Sequence, residues 1–348
     1  MQGAYHGRTI GSLSLTRSKT IYGEGASPFM VRSPHSPRVS NELSCQPGTF
    51  VTAFPYWHQL GVPPETPEET LVSLALHQLD LLFAQQTAPA ETAAIIIEPV
   101  LGEGGYVPAP KSFLLALRAI CDKRGIVLIF DEVQSGFGRC GRYFACEWSG
   151  VKPDIMVFAK GLANGFPLSG VVGSKGRMDM MPPGTMGGTY AGNAVSCAAA
   201  IACAEVMEVS PTSVRWSHQP SLTICFEEEN VLENVLARST ELLILLRAVQ
   251  QDPELCIVDV RGQGLMVAVE FACADGRQPA FKPAAVLPRG VASKVSTLCS
   301  ERGLLLLSTS VFEVIRFIPP LNISSEDLAA GVAIFKQAVN DVVSEICT

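Results

Sequence analysis

The sequence predicts an α/β fold: a mostly parallel sheet covered by helices, followed by a smaller α+β domain. Two observations carry this expectation. Between residues 93 and 173, short apolar runs alternate with a helical periodicity, the pattern of parallel strands covered on both faces. After residue 226 the order changes to a long amphipathic helix, Val-rich runs and a closing helix. The chain has 348 residues, 47% of them hydrophobic and 17% charged, which is room for about two domains with their own cores.

Taken in order, residues 93–100 (AAIIIEPV) read as a β-branched strand. Ser112 is placed to cap a helix running to Arg124, with Phe113, Leu114, Leu117, Ile120 and Cys121 at helical spacing and Gly125 as the stop. The run IVLIFDEV, ending at Val133, is the next strand, followed by IMVFAK at 155–160 and SGVVG at 169–173. Residues 194–207, rich in Ala and Cys, read as a buried helix. In the C-terminal part, the expected elements are a helix over 228–250, a turn and strand over 259–271, a helix over 291–302, a short strand at 304–307, the segment VIRFIPP at 314–320 and a final helix. The domain division is therefore 1–208 and 226–348. Two polar, patternless stretches, 31–46 and 209–225, stand out as atypical inserts.

Composition also excludes functions. The net charge is −7 and no basic block occurs, which argues against nucleic acid or an anionic membrane as partner. No apolar run reaches the ~18–20 residues of a membrane span. The 11 cysteines include no CxxC pair, and the five histidines are scattered, so no metal site is expected. Reduced thiols and the absence of a secretory h-region point to the cytoplasm.

Chemistry is expected at two strand ends. Asp131 ends the run IVLIF and Lys160 ends IMVFA, so both fall at the carboxyl edge of the sheet, where ligands of such folds bind. A lysine behind an apolar strand is poised to be desolvated and nucleophilic. Lysine and acid together suit pyridoxal phosphate, with a Lys Schiff base and a carboxylate facing the pyridine nitrogen. Spacing alone leaves a structural Asp131–Lys160 ion pair equally open.

The words GAYHGRT (3–9), IIIEPVLGEGGY (95–106), FDEVQSGFGRCG (130–141), FAKGLANGFPLSGVVG (158–173) and GGTYAGN (187–193), in this order, resemble the class III, fold-type I, pyridoxal-phosphate-dependent aminotransferases. This family includes 4-aminobutyrate, ornithine and acetylornithine aminotransferases. The resemblance implies Lys160 as the Schiff-base lysine and Asp131 as the partner of the pyridine nitrogen. It also implies Val133 and Tyr5 on the two ring faces, Gln134 on the ring hydroxyl, and Thr189 on the phosphate of a neighbouring subunit's cofactor, hence a homodimer with shared sites. Glu98 and Glu103 fall on the substrate side; the other reading of Glu98, which follows a strand and precedes Pro99, is that it only orients the turn. Arg8 would take a distal carboxylate and Arg316 an α-carboxylate, with Glu103 neutralising Arg316 when an ω-amine is bound. A structural ion pair is the other reading of Arg316. The implied substrates are an ω-amino acid and 2-oxoglutarate.

The chain departs from the family at Cys140, where threonine is usual. It also lacks the upstream segment that carries the first strand of the sheet and the phosphate-gripping helix start. This implies N-terminal truncation, and a mitochondrial location stays open with it. Removing 31–46 joins SPFM to PGTF smoothly, so an unspliced intron is expected there, with 209–225 as a second candidate. The competing expectation is a non-catalytic remnant or mis-spliced gene product that binds little cofactor.

Overall fold

The computed structural model describes residues 1–18, 48–185, 187–208, 230–273 and 286–347. Both expected inserts, 31–46 and 209–225, lie outside the described residues. The first sheet has four strands: β1 (Ala94–Ile97), β4 (Val127–Asp131), β5 (Ile155–Phe158) and β6 (Gly170–Gly173), in that spatial order. The first three run parallel and β6 is antiparallel to β5. Two short strands, β2 (Val100–Leu101) and β3 (Val107–Pro108), pair with each other outside this sheet.

The expected strand over 93–100 is thus two pieces. Pro99 has no N–H for the ladder, and the Glu98 carboxylate instead accepts the backbone N–H of Tyr5 and Gly102. The chain turns there, and β2 leaves the sheet. Likewise, IVLIFDEV stops pairing at Asp131 rather than Val133, where the Asp131 side chain caps the Val133 N–H at 3.1 Å.

Helices α1 (Ile10–Leu13), α2 (Trp57–Leu60), α3 (Glu68–Gln85), α4 (Lys111–Arg124), α5 (Lys175–Met178) and α6 (Ala194–Glu208) flank these strands. Helix α4 starts one residue before the expected cap: Pro110 occupies the N-cap and Ser112 lies inside the helix. Gly125 closes it in the left-handed conformation, as read from the sequence. Val72, Ala75 and Leu79 of α3 and Phe113, Leu114 and Leu117 of α4 form one core with Ile97, Leu128 and Phe130.

Two expectations fail at the far end of the sheet. Coverage of both faces stops at β6, where Val171 and Val172 are 45% and 51% exposed. Helix α6 is not buried: Val195 and Ile201 are 60% and 61% exposed. Its apolar residues run round the whole circumference, whereas only one side meets the chain, at residues 160–163 and at the following helix.

The C-terminal half contains α7 (Val231–Gln250), β7 (Ile257–Gln263), β8 (Met266–Phe271), α8 (Val291–Glu301), β9 (Leu307–Thr309), β10 (Val314–Phe317) and α9 (Ser325–Cys347). Its sheet is antiparallel throughout, in the order β7-β8-β10-β9. The single strand expected over 259–271 is a hairpin that turns at Gly264. The strand expected at 304–307 begins only at Leu307, because Leu304 N closes the end of α8 on Cys299 O and Leu305 points outward. One face of the sheet packs on the three helices through Val235, Leu242, Val267, Val269, Ile315, Phe335 and Val339. The other face brings Met266, Ala268 and Val314 against Val100, Tyr106 and Cys140. Strand β8 is therefore buried on both faces, and the sheet leans on the loops that carry the site.

The hairpin turn fixes that contact. Gly264 has φ +58°, and a Cβ placed there would lie 2.4 Å from the carbonyl carbon of Cys140. Gly125 has a similar φ of +69° but open space around it. Gly125→Ala is therefore expected to cost only the left-handed backbone penalty, ~1 kcal/mol. Gly264→Ala should cost about 2–3 kcal/mol or more through the added clash. Urea denaturation of the two variants checks this; equal losses would mean that the loop at Cys140 yields freely.

Candidate active site

Asp131 is the last residue of β4, paired in register with Val157 of β5. Lys160 follows two residues after the end of β5 and opens a 3₁₀ turn, Lys160–Ala163. Adjacent parallel strands thus deliver both groups to one edge. Their environments differ. Asp131 is buried, and its Oδ2 lies 2.8 Å from Nδ1 of His6. Lys160 is exposed and in left-handed backbone at φ +48°. The two do not form the ion pair that spacing left open, and Lys160 is not desolvated in this chain.

The contact of His6 with Asp131 was missed by the sequence reading, although His6 sits inside GAYHGRT. Burial lowers its pKa, against the opposing pull of the Asp131 hydrogen bond. The ring is then neutral, and an acceptor at Oδ2 draws its one proton to Nδ1. His6 is itself tied down, since its N–H donates to Thr16 Oγ1 at 3.0 Å and Thr16 Oγ1 donates to Gly7 O at 2.8 Å. The hydrogen bonds to His6 Nδ1 and Val133 N–H orient the Asp131 carboxylate.

Two more buried glutamates shape the loops. Glu132 accepts from Ser135 Oγ at 2.5 Å and from the N–H groups of Ala145 and Cys146 at 3.1 and 2.8 Å. It thereby folds the loop that presents Val133 and Gln134, both half-buried. Glu98, expected on the substrate side, is buried and spent on the Tyr5 and Gly102 backbone, each at 2.7 Å. Burial, reinforced by the Asp131 charge, pushes its carboxyl up to about 8. Cys140 and Cys146 are buried thiols, and burial raises Cys146 to about 12.

The structure brings Glu103 and Arg316 together across 213 positions of sequence, with Glu103 Oε1 to Arg316 Nη1 at 2.7 Å. Three successive carbonyls of the Glu103 loop are held by the C-terminal sheet and the residues beside it. Ser310 N and Thr309 Oγ1 donate to Glu103 O, Ser310 Oγ to Gly104 O, and Arg261 Nε and Nη2 to Gly105 O. Behind this loop, Gln134 Nε2 donates to Tyr106 Oη at 2.7 Å. Arg8 is exposed, with its guanidinium 6.0 Å from the half-buried Tyr5 ring. Thr189 is exposed. Among the described residues, no cluster of His, Cys, Asp and Glu could hold a metal ion, and no helix is long and apolar enough to cross a membrane.

A carboxylate and an amine on neighbouring strand ends, in an α/β sheet backed by an antiparallel C-terminal sheet, define a pyridoxal-phosphate enzyme of fold type I. The donor set fits that cofactor: an oriented acid, a lysine amine, and an amide with a second N–H beyond the one given to Tyr106. The family description "Aminotransferase class-III" matches residues 1–339. A 5-aminovalerate aminotransferase of Pseudomonas aeruginosa is 38% identical over 342 residues, covering 98% of this chain and 68% of the relative. A 4-aminobutyrate aminotransferase of Escherichia coli is 35% identical, covering 97% and 68%. An (S)-enantioselective omega-transaminase from Thermomicrobium roseum superimposes with a TM-score of 0.73 at 29% identity, covering 100% of this chain and 67% of its own. The chain belongs to the class III aminotransferases, pyridoxal-phosphate enzymes that exchange amino and oxo acids.

Glu98 generates a pH signature. Its carboxyl rises from an ordinary 4.5 to about 8 in the folded chain. The folded state therefore keeps a proton that the unfolded chain releases, and this group's contribution to stability falls as pH rises through that window. Glu98→Gln keeps the volume and cannot titrate. The urea midpoint of the wild type, relative to Glu98→Gln, should fall between about pH 5 and about pH 8 and level off above. Parallel profiles for the two proteins would place the proton elsewhere.

Proposed function

We propose that this chain transaminates an ω-amino acid of the 4-aminobutyrate or 5-aminovalerate type, with 2-oxoglutarate as amino-group acceptor. The observation that carries the proposal is the Glu103–Arg316 pair at 2.7 Å. A substrate with its amine at the chain end presents no α-carboxylate, so Arg316 must be neutralised, and Glu103 does this. A 2-oxo diacid brings a second carboxylate, and Glu103 then yields Arg316 to it. Arg316 Nε is buried without a hydrogen-bond partner, so the guanidinium has a donor in hand for a bidentate grip. Arg8, 6.0 Å from the Tyr5 ring, takes the distal carboxylate. The relatives named for 5-aminovalerate and 4-aminobutyrate support this substrate class.

Pyridoxal phosphate, when bound, supplies an aldehyde for the amine and a ring that accepts electrons from the substrate carbon. Lys160 would hold it through Nζ and, once released, move a proton at the carbon that bears the amine. Asp131 would hold the ring nitrogen protonated, kept in place by His6. Gln134 would donate to the ring hydroxyl, with Val133 and Tyr5 on the ring faces. We also propose a homodimer in which Thr189 serves the neighbouring copy. Its own stretch supports this, because Met180 and Tyr190 beside it are 79% and 85% exposed.

Lys160→Ala is expected to lose the visible absorbance of bound cofactor and all turnover; activity retained in that variant would sink the assignment. Absence of any cofactor uptake by the wild-type chain would instead favour a non-catalytic remnant. Glu103→Gln should slow the ω-amine half-reaction by about tenfold more than the glutamate half-reaction, since only the former needs Arg316 neutralised. Single-turnover spectra of each half measure it, and equal losses in both would remove the gate.

A further inference from the structure

Tyr106 joins two groups that the proposed mechanism treats separately. It is fully buried and holds φ +54°, a left-handed conformation that is costly for an aromatic residue. Something must over-determine it. Its N–H is 3.2 Å from Gly102 O, its ring is packed with Val100, Met266, Ala268 and Val314, and its hydroxyl accepts from Gln134 Nε2 at 2.7 Å. The Arg316 guanidinium lies 5.9 Å from the ring centroid and within hydrogen-bonding reach of the same hydroxyl. The amide of Gln134 is confined on its other side as well, since a Cβ on Gly102 would come 2.1 Å from Gln134 Oε1.

Resting on the reading above, we propose that Tyr106 is a positioning residue for two groups: its hydroxyl sets the amide of Gln134, and its ring together with that hydroxyl sets the guanidinium of Arg316. A primary amide presents either a donor or an acceptor to a given point, depending on a flip that costs nothing by itself. The Tyr106 hydroxyl, which can donate or accept, here accepts from Nε2 and holds the amide in that setting. One N–H goes to Tyr106, and the second stays on the same end of the amide to serve the cofactor's ring hydroxyl. At the ring, a cation held near the aromatic face within a protein interior gains more than it would in water. Arg316 is mostly buried, so the face of Tyr106 defines where its fork can sit when Glu103 yields it to a substrate carboxylate. One rigid side chain thereby holds a cofactor-facing group and a substrate-facing group at a set separation.

Two variants distinguish the two roles. Tyr106→Phe keeps the ring and removes the hydroxyl, while Tyr106→Leu removes both. The first readout is the pH midpoint of the visible band of bound pyridoxal phosphate. A donor to the ring oxygen favours the form in which that oxygen stands as an anion without a neighbouring proton, so a loosened Gln134 should raise the midpoint. The second readout is the calorimetric Kd for glutarate, a dicarboxylate that cannot react. Tyr106→Phe is expected to raise the midpoint by about half a pH unit or more and to weaken glutarate binding by about threefold, since the hydroxyl contact to Arg316 is lost while the ring stays. Tyr106→Leu is expected to raise the midpoint similarly and to weaken glutarate by about tenfold. An unchanged midpoint in Tyr106→Phe, or glutarate binding in Tyr106→Leu within about threefold of the wild type, overturns the proposal. A wild-type protein that shows no visible band with pyridoxal phosphate would overturn the functional reading instead, and the Gln134 half of this proposal with it. The glutarate measurements on cofactor-free protein would still decide the Arg316 half.

Discussion

A carboxylate with no access to water has to be matched by donors, and at Glu270 the match ties three distant stretches of chain together. Glu270, one residue before the end of the buried strand β8, receives Tyr56 Oη at 2.5 Å, Arg261 Nη1 at 2.5 Å and Nδ1 of His58. Burial pushes its carboxyl up, but Arg261, His58 and Tyr56 outweigh burial and hold it below the usual range. Its contribution is therefore present above the ordinary carboxylate range and is lost as pH falls. Removing any one partner would leave charge buried without compensation, the costly case. Arg261 also donates to Asp259 Oδ2 at 2.7 Å and lies 4.7 Å from the Tyr56 ring. From the same guanidinium it donates to the carbonyl of Gly105. The charge cluster is thus the anchor from which the Glu103 loop is hung.

That anchoring decides how the site can move. With the carbonyls of Glu103, Gly104 and Gly105 all held, the loop backbone is fixed, and any exchange at Arg316 is left to the Glu103 side chain. The same economy governs the other loops. Glu98 spends its oxygens on the backbone that leads into Tyr5 and Gly102, and Glu132 on the backbone at Ala145 and Cys146. Each buried acid converts a sequence word into a rigid turn, and the residues that face the cleft sit between them. Preorganisation of this kind is what lets a few groups act without rearranging first.

Strand ends were legible in the sequence because period and length alone mark where an apolar run stops. Asp131 and Lys160 therefore fell on one edge without any structure. The pairing of Glu103 with Arg316 rested on resemblance, since no local pattern links residues 213 apart. His6, Tyr106 and the Tyr56–His58–Arg261–Glu270 cluster were not found, because each is defined by what it meets across the fold. Asp131 gave a usable signal: a buried carboxylate needs a partner, and His6 stood in a word already singled out. The environment of Lys160 was misread for the complementary reason. An apolar strand before a lysine says how the lysine is delivered, but not what covers it.

The reading of 194–207 as a buried helix shows the same limit on a larger scale. Its composition demands burial, and the chain provides a partner on one side only. Val195 and Ile201 on α6, Val171 and Val172 on β6, and Met180 and Tyr190 between these elements are all exposed, and Lys160 opens beside them. Scattered apolar residues on a surface need no explanation, but neighbouring elements that turn their apolar side chains outward next to Lys160 do. Covering that surface would also take Lys160 out of water. The dimer proposed on the position of Thr189 would then do more than add one contact to the phosphate. It would supply the low-dielectric surroundings that the sequence led us to expect around Lys160 and that a single copy of the chain does not provide.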